Sequence, residues 1–562
     1  MTSALRRIAF AAGLARRRFG RLLGATSGIA LALASALTVA ASPAPAQDAS
    51  AGARIYREGL LPDGKPLRGD RSGGQGVAER AAACVTCHRP SGLGTSEGRI
   101  VVPPIIGKYL FRAHATNVLD MSLPHVPGYN ARREPYTDAT LARAIRSGVD
   151  PNGRTLNYLM PRYELDHDAM SQLVGYLKGL GDGAVPGVSD DTLHFATIVT
   201  PDADPLERQG MLDVLERFFE DKNAFLRGGA RPLKTNREIE YRVTRRWQLH
   251  VWQLTGAPEQ WEQQLQAFYA SQPVFAAISG LGRGTWAPVH RFCQRAGLPC
   301  LMPNVQLPVV SEQDFYPVYF SRGVLLEVDL MAARIAERGD AEAPRRIVQV
   351  YRRGDIGESA AMALRGAAPG GLPVEMKALP QDSADLASLA DALKGVGVGD
   401  QLVLWLRPPD LASLPDAPAG AKVMISGEMA DLERAPLPPS WRESSLLTYP
   451  FDLPLARRVR MNYPLSWFRI RKVPLVAERV QTDTYIACGI LAETLTEMVD
   501  SFVRDYLIER VEVMLSHRQV NGYYPRLSLA PGQRFASKGG YLVRFNEPQG
   551  ASIAAVGEWT TP

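Results

Sequence analysis

The chain of 562 residues contains only five cysteines, and past residue 46 no uninterrupted apolar run reaches the roughly 18 residues of a bilayer span. The chain that follows is therefore expected to carry no transmembrane segment and to be soluble. Acid is missing altogether from residues 1–46, which hold six arginines and no lysine. Over the whole sequence 64 Lys and Arg stand against 58 Asp and Glu, so with those six arginines set aside the remainder is neutral. The basic balance that would suggest a nucleic-acid partner disappears with them. Also missing is any Ser/His/Asp arrangement, metal-ligand cluster or phosphate-cradling loop with enough context to propose an enzyme, so no catalytic residue is assigned.

What is present begins with a leader. Arg6, Arg7, Arg16, Arg17, Arg18 and Arg21 precede an apolar run from Ile29 to about Ala41 and then Ala44-Pro45-Ala46. A charged start, a short apolar stretch and small residues at a cleavage site are the parts of a secretory signal peptide, assigned to 1–46. The expected compartment is the periplasm. The segment "RRRFG" loosely resembles a twin-arginine signal, and the general secretory route is ranked above it.

Two of the five cysteines stand in "CVTCHRPSGLG", Cys84 to Gly94. A C-x-x-C followed by His can hold zinc, form a redox disulfide or carry a covalent haem. Zinc wants about four N or S ligands, and the next cysteine is Cys293, far along the chain. A thioredoxin-like site starts a helix after a buried strand, and "RSGGQGVAERAAA" shows no such strand. Histidine directly after the second cysteine is the c-type haem signature. Cys84 and Cys87 lie one helical turn apart for two thioethers, and His88 then supplies an imidazole to the iron. Downstream, Met160-Pro161 precedes Asp166, a plausible N-cap, and Met170, Leu173, Val174, Leu177 and Leu180 at helical spacing.

With these parts in place, residues 48–182 resemble a class I cytochrome c, expected to be a small all-α domain. The shared features are a first helix with Gly52 and Tyr56, the haem motif, the turn "VPPIIGK", the Met-Pro loop and a last helix with Tyr176. The resemblance implies one covalent haem c on Cys84 and Cys87, with His88 as proximal and Met160 as distal iron ligand. It also implies that the carbonyl of Pro104, or of its neighbour Pro103, orients the His88 ring. Met121, His114, His125 and His167 are rivals for the distal place, Met121 the foremost. His/Met ligation leaves no open iron position, which points to electron transfer. About 25 residues between the first helix and Cys84 exceed what the simplest members carry.

After a Gly/Pro/Asp-rich linker at 183–191 the pattern changes. Runs such as "LHFATIVT", "VFAAISG", "RRIVQVY", "QLVLWLR" and "KVMISG" alternate with helical stretches, one marked by Met211, Val214, Leu215 and Phe218 and another by Trp261, Leu265 and Phe268. Alternation over some 350 residues argues for parallel sheets covered by helices and for two lobes. Residues 192–546 resemble a type I periplasmic-binding protein of the branched-chain amino-acid receptor kind, with 547–562 as a tail. The likeness rests on the order of "LHFATIVTPDAD", "AAISGLGRGTWAPVHRFCQRAGLPCLMP", "RRIVQVYRRGDIGESAA" and "YYPRLSLAPGQRFASKGGYLVRF". It implies a small-molecule ligand between the lobes, met by Ser279, Gly280, Gly282, Gly284 and Thr285 on one side and Asp355 on the other. Ile356, where a tyrosine is common, and "LWLRPPD" depart from the pattern. Trp286 and Trp405 suit a core or a cleft, and pairing of Cys293 with Cys300 stays open.

The fold expected is thus mixed: a small all-α haem domain followed by a two-lobed α/β module. The expected function is that of a periplasmic monohaem cytochrome that passes electrons to a redox partner and is fused to a solute-binding module. The alternatives are the substrate-binding component of an ABC-type transporter with an accessory haem domain, or a docking subunit of a quinoprotein dehydrogenase system.

Overall fold

A computed structural model describes residues 50–562 apart from 72, 98–99, 112–132, 228–244, 312, 338–342, 382–385, 499–500 and 520–521. The leader, Met121, His114 and His125 lie outside the described residues. Residues 50–182 form helices Ala51–Glu58 (α1), Val85–His88 (α2), Gly107–Leu110 (α3), Asp138–Ser147 (α4) and His167–Gly179 (α5). Helices α1 and α5 cross closely. A Cβ on Gly52 would collide with Gln172 O and Tyr176 Cβ, so the crossing needs glycine at that position. Thr137 caps α4 in a reciprocal box with Thr140, and Asp166 caps α5 by accepting from Ala169 N–H.

This part is not all-α. Arg68–Arg71 (β1) pairs antiparallel with Gln75–Ala78 (β2), and a hairpin joins Thr95–Glu97 (β3) to Ile100–Val102 (β4). Arg162–Tyr163 (β5) closes a sheet of order β2-β1-β5. The long stretch before Cys84 supplies β1 and β2, because residues 59–83 are too many for a turn and "GDRSGGQG" reverses the chain on itself.

The first lobe is a parallel sheet of order β11-β9-β6-β8-β10-β12. Its strands are Thr192–Val199 (β6), Arg246–Gln253 (β7, also paired with β6), Ala276–Ile278 (β8), Leu281–Gly282 (β9), Cys300–Leu301 (β10), Asn304–Val305 (β11) and Pro317–Val318 (β12). Helices Pro205–Arg227 (α6), Trp261–Ser271 (α7) and Ala287–Arg295 (α8) belong to it. Cys293 and Cys300 are disulfide-bonded, the end of α8 and the start of β10 bringing their Cα atoms to 6.2 Å, within the reach of a bridge.

At residues 319–323 the chain crosses to the second lobe, which starts with Val324–Ala336 (α9). Parallel strands Arg346–Arg352 (β13), Val374–Leu379 (β14), Asp400–Trp405 (β15), Lys422–Ile425 (β16) and Ser445–Tyr449 (β17) follow in the order β14-β13-β15-β16-β17. Every residue of β15 is buried, as expected of a central strand covered on both faces, here by helices such as Ile356–Ala367 (α10). Next, Leu386–Leu393 (α11), Pro408–Leu411 (α12) and Pro439–Ser444 (α13) fill connections. After β17 the chain returns: Pro454–Arg471 (α14) and Glu478–Met498 (α15) pack on α6, and Arg504–His517 (α16) follows. A third crossing leads to Tyr541–Phe545 (β18) and Ile553–Ala555 (β19), which extend the second sheet antiparallel. Residues 547–562 are therefore part of the sheet rather than a tail, with Gly540 bridged to Thr560.

Residues 183–191 are packed rather than loose. Gly187 lies so close to Val274 and Phe275 that a Cβ would clash, its carbonyl accepts from His194 N–H, and Arg504 donates to Pro186 O at 3.3 Å. No described helix is long and apolar enough to cross a membrane.

Candidate functional site

Three places carry chemistry. The first is the turn of α2. Cys84 O accepts from His88 N–H at 2.9 Å, so Cys84, Cys87 and His88 share one helical turn, and neither thiol is in a disulfide. His88 is buried, its Nδ1 3.0 Å from Pro103 O. The orienting carbonyl is thus that of Pro103, not Pro104: β3 and β4 bring residue 103 alongside the ring. With Nδ1 so engaged, Nε2 is the nitrogen left to face a metal. Burial pushes the His88 imidazole down to about 4, so the ring is neutral, and pushes the Cys84 thiol up to about 12. Gly92 and Gly94 take φ of +69° and +76° and hold the following loop against Ile106, Leu180 and Val102, where side chains would clash. Met160 is half-buried two residues before β5, and Tyr163 in β5 donates to Ala82 O at 2.8 Å, which places that strand against the approach to Cys84. His167 is exposed at the start of α5. Two thiols a turn apart and outside any disulfide, a pre-oriented imidazole and a methionine loop near the same segment fit a covalent haem c.

The second place is the cleft between the lobes. Of the residues expected to meet a ligand, Ser279 is buried, its Oγ 3.0 Å from Thr484 Oγ1 and accepting from Asn304 Nδ2 at 2.9 Å. Gly284 N–H donates to Asp202 Oδ2 at 2.7 Å, and Thr285 Oγ1 accepts from Ala287 N–H at the start of α8. Gly280 and Gly282 are pressed against Trp286, which is core, as is Trp405, whose indole donates to Gln349 Oε1 at 2.8 Å. Asp355 caps α10 and takes both arms of Arg407, at 2.6 and 2.7 Å. Arg407 reaches on to Gln306 Oε1 at 3.2 Å and Arg283 O at 3.4 Å in the first lobe. The polar side chains of this set are thus spent on the scaffold, and Arg407 latches the lobes together.

Deeper in, a cavity is lined by Asn304, Tyr319, Ser321, Glu428, Arg479, Asp483 and Tyr524. It has room for about one water. Asp483 is 1 % exposed and neither carboxylate oxygen has a hydrogen-bond partner; Asn304 Oδ1 is also unpartnered. Arg479 Nη1 lies 3.5 Å from Asp483 Oδ2. Burial pushes Asp483 up to about 7 against the pull of Arg479, and burial raises Glu327 and Glu428 as well. Glu327 is fully buried, accepting from Thr448 Oγ1 at 2.6 Å and Glu428 N–H at 3.0 Å, and also from Ser426 Oγ. Sequence reading passed over this group because it comes from five separate segments. The one local signal was Asp483 inside the otherwise apolar face of "QTDTYIACGILAETL".

The third place joins the first two. Asp505, Glu509 and Glu512 lie on one face of α16. Arg57 pairs with Asp505 at 3.2 Å, Ser91 donates to Glu509 from its N–H at 2.7 Å and its Oγ at 2.6 Å, and Arg89, next to His88, pairs with Glu512. Glu512 also pairs with Arg534, whose carbonyl accepts from Tyr319 N–H at 2.8 Å across two of the interlobe crossings. Helix α16 therefore ties the loop after His88 to the crossing after β12, whose Tyr319 lines the cavity.

No protein-family model matches the chain, and no curated protein matches it. Solved structures of similar fold include a fatty acid ABC transporter substrate-binding protein from Thermomonospora curvata, at 18 % identity over 68 % of this chain and 95 % of that one, TM-score 0.44. A substrate-binding periplasmic protein from Ralstonia solanacearum is 13 % identical over 65 % of this chain and all of its own (100 %), TM-score 0.48. A possible leucine/isoleucine/valine-binding protein from Rhodopirellula baltica is 15 % identical over 66 % and 97 %, TM-score 0.46.

Proposed function

We propose that the two lobes capture a small solute for a membrane transporter of the ABC type and that residues 48–182 carry one covalent haem c, in an exported, periplasmic protein. The observation that carries the capture reading is Asp483: a carboxylate buried between lobes, with no hydrogen bond to either oxygen and only the Arg479 guanidinium at ion-pair distance, is costly unless something supplies donors. A solute with a primary ammonium or a comparable donor group answers that need, and Asn304 Oδ1 offers a further acceptor. Because the cavity holds only about one water when the lobes are latched, the solute enters as the Arg407 contacts to Arg283 and Gln306 part.

Haem c, when bound, supplies one-electron transfer. Cys84 and Cys87 would hold it, Pro103 keeps the His88 ring oriented, and His88 and Met160 would supply the side-chain ligands to its iron. Electron delivery to a periplasmic redox partner is the second reading, favoured by the geometry of α2.

A thermal-shift screen of amines, amino acids and carboxylic acids tests capture. A ligand present at about 100 times its Kd raises stability by about 2.7 kcal/mol. Amines are expected to do so and Asp483→Asn to remove the effect; stabilisation by acids alone would overturn the reading. For the haem, the purified chain should gain the mass of one haem and a c-type α-band, and Cys87→Ser should lose stable attachment.

A further inference from the structure

Helix α14 turns an unusual face outward. Leu455, Val459, Tyr463 and Ile470 share one side at helical spacing and are 78, 74, 64 and 73 % exposed. Its other side, with Met461, Pro464 and Phe468, is buried, Phe468 clustering with Val214 of α6. The apolar surface continues past the helix end at Leu475 and Val476, the latter lying against Gly210 of α6, one turn from the exposed Leu206. Single exposed apolar residues are ordinary, but a stripe along a helix about 27 Å long is not.

The charge around the stripe has one sign. From Pro454 to Ala477 there are six Arg and Lys and no acid. Arg457, Arg460 and Arg471 are taken up by Glu433, Asp452 and Asp221. Arg458, Arg469 and Lys472 are exposed, with no carboxylate at ion-pair distance among the described residues.

We propose that this face of α14 docks on an anionic lipid surface, with the apolar stripe entering the headgroup boundary and Arg458, Arg469 and Lys472 meeting lipid phosphates. A second copy of this chain does not fit, because a two-fold contact would set the three cations against themselves. A protein partner would need an acidic groove moulded to a convex helix, whereas a bilayer yields to one. The charge complementarity is local, since the chain beyond the leader is neutral overall.

The test is co-sedimentation of the chain lacking residues 1–46 with vesicles of phosphatidylcholine, alone or mixed with phosphatidylglycerol. Binding is expected to the mixed vesicles only and to weaken as salt rises. Two triple variants, Leu455→Ser/Val459→Ser/Ile470→Ser and Arg458→Gln/Arg469→Gln/Lys472→Gln, should each lower it by roughly tenfold or more with an unchanged melting temperature. Equal recovery on both vesicle types, no binding to either, or loss in the charge variant alone would overturn the proposal. Failure here leaves solute capture untouched, since the thermal-shift screen reads the cavity and not this face.

Discussion

Glu512→Gln is the substitution that tests the joint between residues 50–182 and the lobes. The wild-type carboxylate meets Arg89 and Arg534, and the side chains of Glu512 and Arg534 are each 3 % exposed, that of Arg89 15 %. Removing one partner of a buried ion pair leaves an uncompensated charge, at a cost of about 3–5 kcal/mol. Most of that belongs to Arg534, whose guanidinium burial already drives toward losing its charge, with Glu512 opposing. The amide keeps the size and one acceptor oxygen, so about 3 kcal/mol is expected. Denaturant melts followed by tryptophan fluorescence read the loss, and amide exchange at residues 89–94 should quicken. Pairing Glu512→Leu with Arg534→Met should recover part of it, because the more deeply buried Arg534 charge is removed together with its partner, while Arg89, at 15 % exposed, still loses Glu512. A loss below about 1 kcal/mol for Glu512→Gln would show that solvent screens the site and that the joint is not the buried ionic contact described.

Other outcomes follow from the same geometry. Burial pushes Glu509 up to about 8, against Arg89 and its Ser91 hydrogen bonds, and Asp483 up to about 7. The folded state thus binds these protons more tightly than the unfolded chain, so their contribution is full below about pH 4.5 and is lost as pH rises through about 7 to 8. Melting temperature should therefore climb from about pH 8 toward pH 5, with a flatter profile in Glu509→Gln; a wild-type profile rising the other way would refute this. Met160→Ala should lower the haem potential and abolish the red-end sulfur-to-iron band, whereas persistence of the band would shift the ligand to a residue outside the described set, such as Met121. Cys293→Ser/Cys300→Ser opens a loop of sequence separation 7 and should cost about 2 kcal/mol in a urea melt under oxidising conditions.

Most of the sheet framework was legible because each core strand is a short apolar run set between polar turns. "LHFATIVT" became β6, "QLVLWLR" became β15 and "KVMISG" became β16, each shifted by a residue or two. The CVTCH turn was legible for the same local reason. What escaped was non-local. The three-stranded sheet within residues 50–182 depends on β1 finding Tyr163 from far along the chain. The expected ligand residues were carried over from order and likeness, yet Ser279 bonds Thr484 and Asn304, Gly284 N–H donates to Asp202, and Asp355 caps α10. The cavity instead gathers Asn304, Glu428, Arg479, Asp483 and Tyr524, whose separation along the chain hides them from any spacing rule.

The acid stripe of α16 was within reach, since Asp505, Glu509 and Glu512 recur at i, i+4 and i+7 among apolar neighbours. Such a stripe marks a buried polar joint, and it bears on how the lobes can move. Admitting any solute larger than a water requires opening, and opening must not orphan the buried charges of Arg534 and Glu512. The Arg407 contacts across the mouth, hydrogen bonds to Gln306 and Arg283, are cheap to break by comparison. Motion is therefore expected to begin at the Arg407 latch and to pivot about the crossing that holds Tyr319 and Arg534, leaving the loop after His88 fixed on α16 throughout.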